Sequence, residues 1–259
     1  MNLRRAYFEC RYGQIHVRTA FPSTGGFDER TPLICLHELG RSSGTFEGLL
    51  PHIATDRSVY ACDLPGFGAS DSSAGALGVS DHAAAVADFL GGLRLRTVDV
   101  LGVGLGAAVA LELAILLDSK IRKLVLVHAP FSSRDLSPVS PVPPAANGSY
   151  LIDLWTQIRG RRGASEPIEA LAGALPDELR SLAATAEGIE ALRCWPGIER
   201  LKMLKQPSLL LQSEGGAADA VAAVLAPNMT LDRHLPPGDG LSAVSPETLG
   251  ALLRSFLDR

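Results

Sequence analysis

Apolar and polar side chains alternate through residues 7–11 and again through residues 14–19, on either side of Gly13. That two-residue period belongs to half-buried strands joined as a hairpin. The pattern then changes. Pro32-Leu33-Ile34-Cys35-Leu36-His37 is nearly all apolar, as are residues 58–62, 97–103, 123–127 and 208–211. A strand without alternation is one covered on both faces, as in a parallel sheet. Between these runs, residues 45–55, 80–93, 105–117 and 217–225 carry helical patterns, and a last one falls at 246–257. Strand and helix alternate, which predicts an α/β protein with a mainly parallel central sheet and helices on both faces.

Residues 131–205 break this rhythm. A Ser- and Pro-rich stretch (132–144) leads into helical patterns at 150–158, 168–175 and 178–186. The simplest reading is a helical cap (131–205) inserted into a core formed by residues 1–130 and 206–259. Ligand sites in such sheets lie beyond the carboxyl ends of the strands, so a cap there covers the site.

Composition narrows the classes of function. With 259 residues, 46% of them hydrophobic, the chain can bury a full core. A net charge of −4 gives no electrostatic reason to bind nucleic acid or an anionic membrane. The basic cluster Arg159-Gly160-Arg161-Arg162 reads as a solvated loop. Cys10, Cys35 and Cys62 lie in apolar or alternating runs, where free cysteine behaves as a small hydrophobe. No cysteine spacing suggests a disulfide framework or a metal site. No segment has the length of a signal peptide's apolar region or of a bilayer span. The expectation is a soluble, cytoplasmic protein that takes a small-molecule ligand and no cofactor. No nucleic-acid or membrane partner is expected, and the oligomeric state is left open.

Four motifs carry chemistry. Leu36-His37-Glu38-Leu39-Gly40 follows the third predicted strand and Asp63-Leu64-Pro65-Gly66-Phe67-Gly68-Ala69-Ser70-Asp71 the fourth. Leu101-Gly102-Val103-Gly104-Leu105-Gly106 joins the next strand to a helix, and residues 123–130 end in Ala129-Pro130. In this order the chain resembles the α/β-hydrolase superfamily over nearly its whole length. The resemblance implies that residues 36–40 are the oxyanion loop and that Gly102 to Gly106 form the nucleophile elbow. At such an elbow a sharp strand-to-helix turn lifts a nucleophile over the sheet, while flanking glycines make room. Here Gly104 stands at the nucleophile position and has nothing to lift.

The resemblance also places an acid near Gly215 or Gly216 and a histidine where Asp239 stands. All three triad positions are therefore vacant. Glu214, Asp219 and Asp135 are alternative acids, but an acid alone does not restore acyl transfer. Backbone donors survive side-chain changes. Those implied here are the amides of Leu39 and Leu105, the latter at the positive end of a helix. Glu38 replaces the usual glycine after His37, and its carboxylate would oppose a developing negative charge.

Two readings of the titratable groups stand side by side. In one, His128 or Asp239 moves a proton on a bound substrate without a covalent intermediate. In the other, His37 and His128 are hydrogen-bonded strand-end residues and Asp239 caps a Gly-rich turn. Ser80 is expected to cap the helix at 80–93. Asp63 is expected to fix the turn it begins, and Trp155 and Trp195 to serve packing. His16, His52, His82 and His234 show no metal-ligand spacing. Three functions follow: a non-hydrolytic enzyme working by positioning and proton transfer, a non-catalytic ligand- or partner-binding protein, or a hydrolase with a relocated nucleophile such as Ser213 or Ser42.

Overall fold

A computed structural model describes residues 2–23, 29–131, 140–162, 168–214, 216–232, 241 and 244–259. β1 (Asn2–Cys10) and β2 (Gly13–Phe21) form the antiparallel hairpin expected around Gly13. Gly13 has a φ of 109°, a turn conformation that L side chains rarely adopt. β3 (Leu33–Leu36), β4 (Val59–Cys62), β5 (Val98–Val103), β6 (Ile121–Val127), β7 (Ser208–Leu211) and β8 (Met229–Asp232) complete one sheet. Its order is β1-β2-β4-β3-β5-β6-β7-β8. β2 meets β4 antiparallel, and every pairing from β4 to β8 is parallel. Every residue of β3, β4, β5 and β7 is buried, which is why these strands read as unbroken apolar runs.

Successive strand residues feed two cores. Ile34, Leu36, Val100, Leu124 and Leu126 pack with α2 (Val79–Leu93) and α3 (Leu105–Leu116) on one face. Leu33, Cys35, Leu101, Val125 and Val127 pack with α1 (Leu50–Ile53) and α9 (Pro246–Leu257) on the other. α8 (Gly216–Ala222) lies between β7 and β8. Among the described residues between β6 and β7 lie α4 (Ser149–Arg162), α5 (Ile168–Arg180), α6 (Leu182–Cys194) and α7 (Gly197–Leu201). α4 and α5 share a small core of their own, made by Leu154, Ile158, Leu171 and Ala174. Among the described residues no helix is long and apolar enough to cross a membrane.

Several local expectations need correction. Residues 45–55 are not one helix but a 3-10 turn at Ser43–Phe46 followed by the single turn of α1. Ser42 caps the first by accepting the Gly44 amide, and Pro51 has no amide with which to continue a helix begun before it. α2 starts at Val79, with Gly78 as its cap in place of Ser80. The Asp81 carboxylate reaches back to the Gly78 amide at 2.9 Å and completes that cap. α5 runs through Pro176 to Arg180, because the face carrying Leu171, Ala174 and Leu179 is buried against α4. The basic run 159–162 is the end of α4, not a loop, and Arg161 is buried in an ion pair with Glu178 of α5.

A charged node helps to tie the insertion to the core. Glu112, buried in α3, accepts from Trp195 Nε1 and from Arg200 Nε, each at 2.7 Å. Trp195 also stacks on Phe131. Replacing Glu112 with alanine strands these donors and is expected to cost about 2–3 kcal/mol. Urea unfolding followed by Trp195 fluorescence measures the loss.

Candidate functional site

β3 delivers His37 to the carboxyl end of the sheet with no solvent exposure. Its Nδ1 lies 2.8 Å from the Glu38 carbonyl, and its Nε2 accepts the Leu64 amide at 3.0 Å. One ring edge donates and the other accepts, so the imidazole is neutral. Burial, the largest influence, pushes its pKa below the usual histidine value. With both nitrogens engaged, His37 holds the loop after β3 against the turn after β4. Its carbonyl extends the link by accepting the Gly106 amide at 3.0 Å.

That bond fastens the loop after β3 to the elbow. The chain passes from β5 into α3 through one residue, Gly104, at φ 53° and ψ −116°. The Gly104 amide donates to the Val127 carbonyl at 2.9 Å, and its own carbonyl accepts from Ala107 at 3.0 Å. A Cβ at Gly102 would lie 2.3 Å from the Gly106 carbonyl oxygen, and one at Gly106 would lie 2.1 Å from that of Leu36. Both glycines are steric requirements of the turn. At Gly104 the space is less tight: a Cβ there would meet the Cβ of Glu38 at 3.0 Å and its Cα at 3.5 Å. Glu38 is buried, so a carboxylate-bearing side chain covers the apex of the elbow.

The amides of Leu39 and Leu105 flank this apex, and among the described residues neither makes a hydrogen bond. Leu105 opens α3, so its amide is one of the donors a helix leaves unpaired at its positive end. α6 closes over both residues. A Cβ at Gly188 would stand 2.5 Å from Leu39 Cδ2 and 3.7 Å from Leu105 Cδ2, so glycine permits this close approach. The end of α5 bears on the same loop. Ser42 Oγ donates to Asp177 Oδ2 at 2.7 Å, and the Glu178 carboxylate lies against Gly40, whose φ is 70°. Ser42 therefore serves as a helix cap and a latch to α5.

A buried polar cluster supports the site from below. Asp63 accepts the Ser43 amide at 2.6 Å, His16 Nδ1 at 2.8 Å and the Ala69 amide at 2.9 Å. Burial alone would raise its pKa, but the His16 bond, with the Ser43 and Ala69 amides, holds it well below the usual carboxylate range. Ser70 Oγ closes the cluster, donating to the Asp63 carbonyl at 2.8 Å and accepting the His16 amide at 2.9 Å. The role of Asp63 was legible in its turn. Its partner His16, distant in sequence, was not.

His128 follows β6 at φ 46°, a left-handed conformation uncommon outside glycine, and its amide donates to the Leu211 carbonyl at 2.9 Å. Gly216 begins α8, while Glu214 and Asp219 are exposed. Asp239, Gly215, Asp135 and His234 lie outside the described residues. Among the described residues no group of three His, Cys, Asp or Glu side chains could hold a metal ion.

Comparison with known proteins adds relatives to this geometry. A family model described as the alpha/beta hydrolase fold matches residues 31–161. An uncharacterized protein of Mycobacterium tuberculosis is 29% identical over 159 residues, covering 58% of this chain and 47% of that protein. The chain thus spans about half the length of the curated relatives it matches first. The magnesium-chelatase 30 kDa subunit of Rhodobacter capsulatus is 26% identical over 248 residues, covering 87% of this chain and 86% of that one. Among solved structures, a hydrolase from Pseudomonas aeruginosa PA01 superposes with a TM-score of 0.81 at 19% identity, covering 99% of both chains. A serine-to-glycine mutant of the N-acyl homoserine lactonase AidH, complexed with N-hexanoyl homoserine lactone, does so at 0.77 with 18% identity, covering 98% of this chain and 97% of that one. At such identities the likeness to these structures is one of fold. Together with the elbow and the sheet order, the family match over residues 31–161 makes this chain a member of the alpha/beta hydrolase fold family.

Proposed function

We propose that this chain is a non-hydrolytic enzyme of lyase, isomerase or cyclase type. It holds a small, largely apolar molecule by a carbonyl or enolate oxygen at the amides of Leu39 and Leu105 and moves a proton on it without an acyl intermediate. The observation that carries this reading is Gly104, which keeps a positive-φ elbow backbone while offering no nucleophile. Triad loss costs on the order of 10⁶ in turnover in the subtilisin example, yet leaves roughly 10³–10⁴ over water from oxyanion binding and positioning. Effective molarity alone contributes about 7 kcal/mol or more when the bound geometry is right. Glu38 over the apex favours proton transfer over a tetrahedral oxyanion, since an ionised carboxylate repels a full negative charge but accepts a proton. His128 and Asp239 are the other candidate proton carriers.

Non-catalytic binding is the second reading. The serine-to-glycine lactonase complex favours it, because a similar fold with a glycine introduced for a serine is seen with a lactone. The relative covering most of the chain is named as a subunit, which favours a partner-binding version. The test is an unbiased metabolite pull-down with mass spectrometry of the bound and released species. The expected result is release of a transformed ligand, with conversion falling about 100-fold or more in Glu38→Gln, His128→Ala or Asp239→Asn while binding persists. Recovery of the ligand unaltered supports binding alone.

A further inference from the structure

β1 is the outermost strand at one end of the sheet, and its far edge is open among the described residues. Which backbone groups face that edge follows from its neighbour. On β2 the amide of Gln14 donates to the Asp71 carboxylate and that of His16 to Ser70 Oγ, while their carbonyls accept the amides of Asp71 and Asp63. Gln14 and His16 thus bond away from β1, and Ile15 and Val17 bond to it. Given the register Phe8↔Ile15 and Ala6↔Val17, the backbone groups of Arg4, Ala6, Phe8 and Cys10 are engaged with β2, and those of Leu3, Arg5, Tyr7 and Glu9 point outward. β1 runs for 9 residues with no proline, lysine or bulge, the devices that keep an exposed edge from pairing.

The side chains select the occupant. Phe8 turns to α2, where its ring packs edge-on against Phe89, and Leu3, Arg5, Tyr7 and Glu9 share the opposite, exposed face, with Tyr7 at 54%. Arg5 and Glu9 stand at equal distances on either side of Tyr7. The pattern is therefore complementary to its own reverse. When a second β1 runs antiparallel with Tyr7 opposite Tyr7, Arg5 of each strand falls opposite Glu9 of the other, and these are the residues whose outward amides and carbonyls can exchange paired hydrogen bonds. Other registers lose this match. The next register that keeps the outward groups paired sets Arg5 or Glu9 against Tyr7, and the one beyond it sets Arg5 against Arg5 or Glu9 against Glu9. Glu9 Oε1 already accepts Gln14 Nε2 at 2.7 Å, which leaves Oε2 for a guanidinium.

We propose that β1 pairs antiparallel with β1 of a second copy of this chain, about a two-fold axis at Tyr7, joining the two sheets edge to edge. The same patch serves on both copies, so each Arg5–Glu9 pair occurs twice. This surface is independent of whatever chemistry Gly104 supports, and nothing in it requires turnover. Sedimentation equilibrium of the full chain over a dilution series is the measurement. The expected result is a mass that falls from two copies toward one on dilution.

Charge reversals test the register. Arg5→Glu sets carboxylates face to face and Glu9→Arg sets guanidiniums face to face, so either variant alone should dimerise about tenfold more weakly or worse. Mixed in equal amounts, the two should recover the parent affinity as a heterodimer, because every facing pair is then opposite in sign. Tyr7→Pro removes an outward amide that β2 does not use, so it should leave the chain folded but monomeric. Should that variant fail to fold, the reversals, both on exposed side chains, still decide the matter. A monomer at every concentration, a dimer that survives Tyr7→Pro, or a mixture of the reversals that associates no better than either alone would each overturn the proposal.

Discussion

Replacing Gly106 with alanine is expected to lower stability by about 3 kcal/mol or more, although alanine is the better helix former. The new methyl would lie 2.1 Å from the Leu36 carbonyl oxygen, a backbone atom held in the β3–β5 ladder. Relief therefore requires α3 to move away from the sheet, and with it goes the bond from the Gly106 amide to the His37 carbonyl. For a chain of this size the loss corresponds to a fall in melting temperature of roughly 6–12 °C. Gly104→Ala, at a φ of 53° and facing the Glu38 Cβ at 3.0 Å and its Cα at 3.5 Å, should cost less, about 1–2 kcal/mol. Differential scanning calorimetry of the two variants tests this order. The reverse order would mean that the turn is built differently.

Asp63→Ala is expected to cost about 3–5 kcal/mol at neutral pH, since it leaves buried donors on three separate segments without an acceptor. Those donors are His16 on β2, Ser43 before α1 and Ala69 in the turn after β4. The same carboxylate shapes the acid limb of stability. Its folded pKa is depressed, so its contribution is fully present above the unfolded value of about 3.9 and is lost as pH falls through the folded value. Asp63→Asn should therefore lose stability at pH 7 yet show a flatter decline below about pH 4 than the parent chain. Urea midpoints across that range check the sign. An unchanged acid slope would remove Asp63 from the account.

Much of this architecture was legible because it rests on short-range chemistry. Unbroken apolar runs such as 33–36 can be strands only if both faces are covered, and in the sheet they are. Gly102, Gly104 and Gly106 announced a turn in which side chains do not fit. Less legible were features decided by distant packing. Pro176 reads as a helix end, yet α5 continues through it because its apolar face is buried against α4. Arg161 reads as a solvated charge until Glu178 is brought beside it.

The site divides in the same way. The amides of Leu39 and Leu105 are implied by the resemblance to the α/β-hydrolase superfamily. That His37 is closed on both ring edges depends on Glu38 and on Leu64 in a different loop. The contact between Glu38 and the apex of the elbow pairs residues from two strands' ends, and no local pattern encodes it.

We propose that a hydrolase-fold elbow persists here without acyl-transfer chemistry. Intact-protein mass spectrometry after incubation with a fluorophosphonate probe tests it most directly. The account predicts an unmodified mass for the folded chain under conditions that fully label a serine hydrolase run alongside. A stoichiometric adduct mapped to Ser213, Ser42 or any other serine of the folded chain would contradict it.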